Sequence, residues 1–147
     1  MKRFYGQERC KLEANSRLKL PSQYLEVFQE HGGERVVLHC WPERCLGILP
    51  ESTWEVYCQQ LSGQGGTGLM TPEQRSRSRL IFSYTNPDTI TAQGRITIPE
   101  MFREFLGFEP GSKVVVVSTG DSLEVWSESR WAEEVNRVMN SQDGPGF

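Results

Sequence analysis

The chain has 147 residues, enough for one ordinary domain or for two very small units that share a core. A net charge of -3 excludes a uniformly basic nucleic-acid binder, so the placement of charge says more than its sum. No run approaches the roughly 20 apolar residues of a membrane span, and no apolar stretch follows Lys2-Arg3, which predicts a soluble, unsecreted protein of the cytoplasm.

Residues 1–21 hold Lys2, Arg3, Arg9, Lys11, Arg17 and Lys19 against Glu8 and Glu13, a local excess of four positive charges. The alternation at 17–20 predicts a strand with Leu18 and Leu20 inward and Arg17 and Lys19 outward, stopped by Pro21. The helix after it places Tyr24, Leu25 and Phe28 on one apolar face. Val36-Val37-Leu38 and residues 46–49 read as strands, and a closing helix with Trp54 starts near Glu51. Residues 62–68 form a glycine-rich flexible connector. Thr71-Pro72-Glu73-Gln74 then carries the marks of a helix start: Thr71 as cap, Pro72 in the first position and Gln74 closing a capping box. That helix runs to about Tyr84, and its Arg75, Arg77 and Arg79 open a second basic segment that ends in Arg95.

Residues 89–91 and 95–98 flank a turn at Ala92-Gln93-Gly94, with Ile96 and Ile98 inward, Arg95 and Thr97 outward, and Pro99 as the stop. Met101, Phe102, Phe105 and Leu106 predict one apolar helix face, and Gly107 a left-handed cap. Pro110-Gly111 turns the chain into a strand over 113–118, and Gly120-Asp121 makes a hairpin into 123–126. A last helix with Trp131 starts near Glu128, and the tail after Met139 is expected to be disordered. Core packing is the expected role of both Trp54 and Trp131.

These elements occur twice. Ser16-Arg17-Leu18-Lys19-Leu20-Pro21 returns as Gly94-Arg95-Ile96-Thr97-Ile98-Pro99, 78 positions later, and Glu51-Ser52-Thr53-Trp54 returns as Glu128-Ser129-Arg130-Trp131, 77 positions later. The expected organisation is a first repeat over 4–61, a linker and helix over 62–85, a second repeat over 86–138 and a tail over 139–147. Each half alone lies near the lower limit of independent stability, so the halves are expected to interlock or to oligomerise.

A duplicated arginine is the first candidate for function. Arg17 and Arg95 each follow a small residue in a tight turn, where a guanidinium can take a phosphate or a guanine edge with two hydrogen bonds. The competing reading is that each arginine pairs with a nearby carboxylate and only closes its turn. Catalytic patterns are thin: His31 and His39 have no duplicates, and the alternation points His39 and Cys40 to opposite faces. The four cysteines, Cys10, Cys40, Cys45 and Cys58, all fall in the first half, which favours reduced structural thiols over a disulfide or zinc framework. The spacing of His39, Cys40 and Cys45 matches no standard zinc pattern, and the glycine-rich stretch lacks the Lys-Ser or Lys-Thr of a phosphate loop. The expectation is a non-enzymatic protein without metal or cofactor.

With the doubled turn-Arg-strand-Pro motif and the doubled Trp in view, the chain resembles the MraZ family, bacterial transcriptional regulators built of two tandem AbrB-like swapped-hairpin units. The likeness spans residues 4–137 and includes Phe4, Gly6, Leu80-Ile81-Phe82 and Leu123-Glu124-Val125-Trp126. It implies an α+β, mainly β fold: a double-split β-barrel from two repeats with flanking helices, closing into a ring-like homo-oligomer. It further implies binding to repeated double-stranded promoter DNA upstream of division and cell-wall genes, usually as a repressor, in association with the nucleoid. Arg17 and Arg95 align with the family's DNA-contacting arginines, while Lys19, Lys11 and Arg9 would add phosphate attraction. Glu13, Ser16 and Gly94 would support the turns. Three positions depart from the family pattern: Glu13 stands for the usual Asp, Ser16 for Gly or Asn, and Thr91 where an acid is expected. Serine disfavours positive φ, which predicts a looser first turn, and the missing acid predicts unequal halves. The alternative from another class is a protein-interaction module on the same scaffold, with the arginines as salt-bridge donors.

Overall fold

Runs of valine, isoleucine and leucine that are apolar on both faces make strands that need cover on both sides. The computed structural model describes residues 2–62 and 70–141. In chain order it contains β1 (Gln7–Lys11), β2 (Arg17–Lys19), α1 (Ser22–Glu30), β3 (Arg35–Trp41), β4 (Cys45–Pro50) and α2 (Glu51–Ser62). There follow α3 (Pro72–Ser83), β5 (Thr85–Thr89), β6 (Arg95–Thr97), α4 (Glu100–Leu106), β7 (Lys113–Ser118), β8 (Leu123–Ser127) and α5 (Glu128–Met139). The fold is α+β and mainly β. The glycine-rich connector from residue 63 and the tail from residue 142 lie outside the described residues.

Six strands form one antiparallel sheet in the order β1-β7-β8-β4-β3-β5, and β2 pairs with β6 in a separate antiparallel ribbon. Exchanging each strand for its counterpart in the other repeat reverses the order and leaves it unchanged, so a pseudo-twofold axis relates the halves. The axis passes where equivalent residues face each other: Leu18 opposite Ile96 in the ribbon, and Gly47 opposite Glu124 in the sheet. Each repeat lends an edge strand to the other, β1 to β7 and β5 to β3. The halves interlock, as their small size requires. The sheet stays open, with β1 and β5 as its edges, and is not a closed barrel.

Alternation along the strands sorts side chains into two layers. Leu38, Leu46, Ile48, Val114, Val116, Leu123 and Val125 face the ribbon and the two short helices, where they meet Leu18, Leu20, Ile96, Ile98, Tyr24, Phe28, Phe102 and Leu106 in one core. The opposite face carries Val115, Val117 and Trp126 against Trp131 of α5, and Val37 and Leu49 against Trp54 of α2 and Ile81 of α3. Trp54 is buried, whereas Trp131 is only half-buried at the rim of its cluster, short of the full core role expected for both. Met101 is 48% exposed and falls outside the buried face of α4, which is held by Phe102 and Leu106; a seven-residue helix has only about two turns to press on the core. The caps follow the sequence: Thr71 Oγ1 accepts from Gln74 N at 3.1 Å while Thr71 N donates to Gln74 Oε1 at 2.8 Å, and Gly107 closes α4 at φ 72°.

Candidate functional site

The β2–β6 ribbon holds most of the candidate residues. Its inner face is Leu18, Leu20, Ile96 and Ile98, all buried, so its outer face is left with Arg17, Lys19, Arg95 and Thr97. Lys19 lies directly across from Arg95, and Arg17 across from Thr97, which gathers three cations on a surface two strands wide.

Both ends of the ribbon are built alike. Ser16 N donates to Glu13 O at 3.0 Å and Gly94 N to Thr91 O at 2.9 Å; each turn then bonds the other strand, Leu20 N to Gly94 O and Ile98 N to Ser16 O. The expected loosening of the first turn does not occur. Ser16 takes φ 65° beside φ 81° at Gly94, because the cross-strand bond to Ile98 holds it there in spite of its side chain. Ser16→Gly is therefore expected to raise stability by up to about 1 kcal/mol and Gly94→Ser to lower it by at least as much, since a Cβ at Gly94 would also lie 2.9 Å from Leu25 Cδ1. Paired urea midpoints check this. Midpoints that move together, or not at all, would show that the left-handed backbone carries no cost here.

Arg95 does not point freely outward. Its Nε donates to Glu13 Oε1 at 2.9 Å and its Nη2 to Glu13 Oε2 at 3.2 Å, a two-pronged pair that joins one repeat's turn to the other repeat's arginine. The two side chains remain about one-third exposed. The hydrogen bonds from Arg95 hold the Glu13 carboxyl below its ordinary value against an opposing desolvation, with the charges of Arg95, Arg17 and Lys19 adding to the lowering. Glu13 in turn raises the already high pKa of Arg95. The carboxylate pairing foreseen as the competing reading is thus present at Arg95, but between repeats and not within one turn. Arg17 has no side-chain ion pair among the described residues; its backbone is engaged, the N–H donating to Asn15 Oδ1 at 3.3 Å and the carbonyl accepting from Glu13 N at 2.9 Å. Lys19 Nζ donates to the Gln93 carbonyl across the ribbon. The register of two strands, which composition does not encode, is what brings Glu13 to Arg95 and Lys19 to Gln93.

The remaining basic candidates lie elsewhere. Arg9 stands on the sheet face that α5 covers and pairs with Glu128 at 3.3 Å. Lys11 is exposed at the end of β1, opposite Lys113. Arg75, Arg77 and Arg79 ride on α3, which packs through Ile81 on the sheet face turned away from the ribbon. The two basic segments of the sequence therefore do not merge into one surface. Beside the second turn, a half-open groove of about 490 Å³ runs from Leu25 and Phe28 of α1 to Thr91 and Ala92.

The cysteines and histidines make no reactive cluster. His39 and Cys40 point to opposite faces of β3, His39 into an aromatic set with Trp41 and Trp54, and Cys40 into the main core. Burial pushes the Cys40 thiol up to about 12 and raises Cys45 further, the reverse of what a nucleophilic thiolate needs. All four cysteines are free thiols. Among the described residues no group of three or more His, Cys, Asp or Glu side chains is placed to hold a metal ion, and no helix is long and apolar enough to cross a membrane.

Residues 81–143 match the family profile described as "MraZ protein, putative antitoxin-like". The chain is 32% identical over 142 residues to the transcriptional regulator MraZ of Nitrosomonas eutropha, covering 96% of this chain and 92% of the relative. It is 30% identical over 128 residues to the protein of that name from Symbiobacterium thermophilum, with 87% and 86% covered, and 29% identical over 137 residues to that of Thiobacillus denitrificans, with 93% and 89% covered. Similarity over nearly the whole length, joined to the doubled turn-Arg-strand-Pro motif, shows that this chain belongs to the MraZ family.

Proposed function

We propose that the protein is a sequence-specific DNA-binding transcriptional regulator, a repressor acting on repeated promoter elements upstream of division and cell-wall genes. The observation that carries this reading is the ribbon, where Arg17, Lys19 and Arg95 share one outward face of two paired strands. A two-stranded antiparallel ribbon fits the major groove of DNA, where arginine takes guanine O6 and N7 together. The relatives' name, transcriptional regulator, agrees with it. The family is one of regulators and the chain is not an enzyme, which fits the raised thiols of Cys40 and Cys45. A net charge of -3 requires several protomers to sum their ribbons against DNA, so the binding form is a homo-oligomer, taken here as a ring. The interlocked repeats over 4–61 and 86–138 are read as swapped-hairpin units of the AbrB type, and the working location as the nucleoid. Lys11 at the rim of the sheet would add phosphate attraction, and Arg9 would do so only after leaving Glu128.

The test is binding of the purified protein to the DNA upstream of its own coding sequence and to unrelated DNA of equal length, at two salt concentrations. Arg95→Ala is expected to lose about 1–3 kcal/mol of affinity for the upstream DNA, and Lys19→Ala to lower the salt slope by about one. Equal binding of wild type to both DNAs, or binding untouched by either substitution, would refute the proposal. A second reading, a protein-interaction module, draws on the exposed Tyr5, Leu80 and Phe82, all more than half exposed and away from the ribbon; it predicts an unchanged DNA affinity in both variants.

A further inference from the structure

The two turn arginines are held differently, and the cause is one residue pair. Glu13 and Thr91 occupy equivalent positions, 78 apart, yet only Glu13 carries a carboxylate to offer the arginine of the other repeat. The Thr91 hydroxyl is turned to its own loop, where it accepts from Arg95 N at 3.0 Å. Arg17 therefore lacks the brace that Arg95 has.

The geometry of the brace decides what Arg95 can still do. Glu13 takes the Nε hydrogen and one Nη2 hydrogen, the side edge of the guanidinium. Both Nη1 hydrogens and the outer Nη2 hydrogen stay available, and these form the end-on fork that matches the two acceptors of a guanine edge. A fork already fixed in plane loses less rotamer freedom on binding and rejects acceptors out of plane, which favours discrimination between bases. An unbraced arginine can follow a phosphate wherever the backbone runs, which favours affinity without sequence preference.

We propose that Glu13 is a positioning residue that presents Arg95 as the base-reading fork, while Arg17, which makes no ion pair with a carboxylate among the described residues, is a sequence-independent phosphate contact. The division rests on the DNA-binding reading above and assigns unlike duties to two residues that the duplication made alike. Glu13 also repels DNA, so if it had no positioning role its removal would tighten binding to every duplex equally. A change in the ratio of affinities is what separates the two.

The experiment uses the full chain and two probes: the duplex that wild type enriches most from a random-sequence library, and the unselected library. Glu13→Gln is expected to lower the affinity ratio between them by about fivefold or more while leaving library affinity equal or higher. Glu13→Asp, which keeps a carboxylate, should retain more of the ratio than Gln. Arg95→Lys should lose the ratio, whereas Arg17→Lys should keep it, because a point charge satisfies a phosphate but not a two-acceptor edge. A Glu13→Gln protein with an undiminished ratio, or Arg17→Lys losing the ratio as fully as Arg95→Lys, would overturn the division of duties while leaving the regulator reading intact. Wild type that enriches no duplex would instead overturn the regulator reading, and the division with it.

Discussion

Leu18→Ala is expected to cost about 2–5 kcal/mol, a large share of the stability of a domain this size. Leu18 is fully buried and sits at the centre of the ribbon, directly opposite Ile96 and against the sheet core. The site is poorly able to collapse, because Leu20 and Ile98 are pinned by the cross-strand bonds of both turns and Ile96 by its pairing opposite Leu18, so the removed carbons leave a cavity. Ile96→Ala should cost a similar amount. The double variant should cost less than the two losses added, since the paired residues border one space. Urea unfolding checks all three. A Leu18→Ala loss under about 1 kcal/mol would mean that the ribbon rests loosely on the sheet, whereas Lys19→Ala, on the exposed face of the same strand, should stay within about 0.5 kcal/mol of wild type.

Lowering the pH from 7 to 5 should remove about 2 kcal/mol of stability through His39 alone. The ring lies edge-on to Trp41 at 4.5 Å and beside Trp54 at 5.3 Å. Its Nδ1 is 2.8 Å from Thr85 Oγ1, whose own hydrogen goes to the Ile81 carbonyl, so the histidine Nδ1–H is the donor. Burial lowers its pKa from 6.5 to about 4, against a smaller opposing contribution from the Tyr84 backbone. Between those values the unfolded chain binds a proton that the folded chain refuses. Stability is therefore complete above about pH 6.5 and falls as pH drops toward 4. Burial raises the Glu124 carboxyl, which acts in the opposite sense, so the histidine contribution is read as the difference between wild type and His39→Asn in melting temperature across pH 5 to 7. Parallel pH profiles of the two proteins would show that His39 is protonated at no cost inside the fold.

Much of this structure is legible in the sequence, because local chemistry dictates it. The capping box at Thr71 and Gln74, the stops at Pro21 and Pro99, the left-handed Gly107 and the inward alternation of Leu18, Leu20, Ile96 and Ile98 all depend on residues close in the chain. What escapes such reading depends on register and on layers. Ser16 accepts a backbone conformation that its side chain disfavours, because a bond to a strand 82 positions away holds it. Glu13 finds its arginine across the repeats, and Arg9 and the α3 arginines land on faces that no charge count could separate from the ribbon. The candidate residues were visible, and their partners were not.

The axis between Leu18 and Ile96 has a consequence for how such a protein can change. In an assembly of two identical halves, one mutation alters both sides of the axis at once, so each gain on one side must be tolerated on the other. Here the two sides are separate stretches of a single coding sequence, and Glu13 can differ from Thr91 without either being copied. Joining the halves thus frees the two sides of the axis to diverge independently, so that a surface built twice need not do the same thing twice.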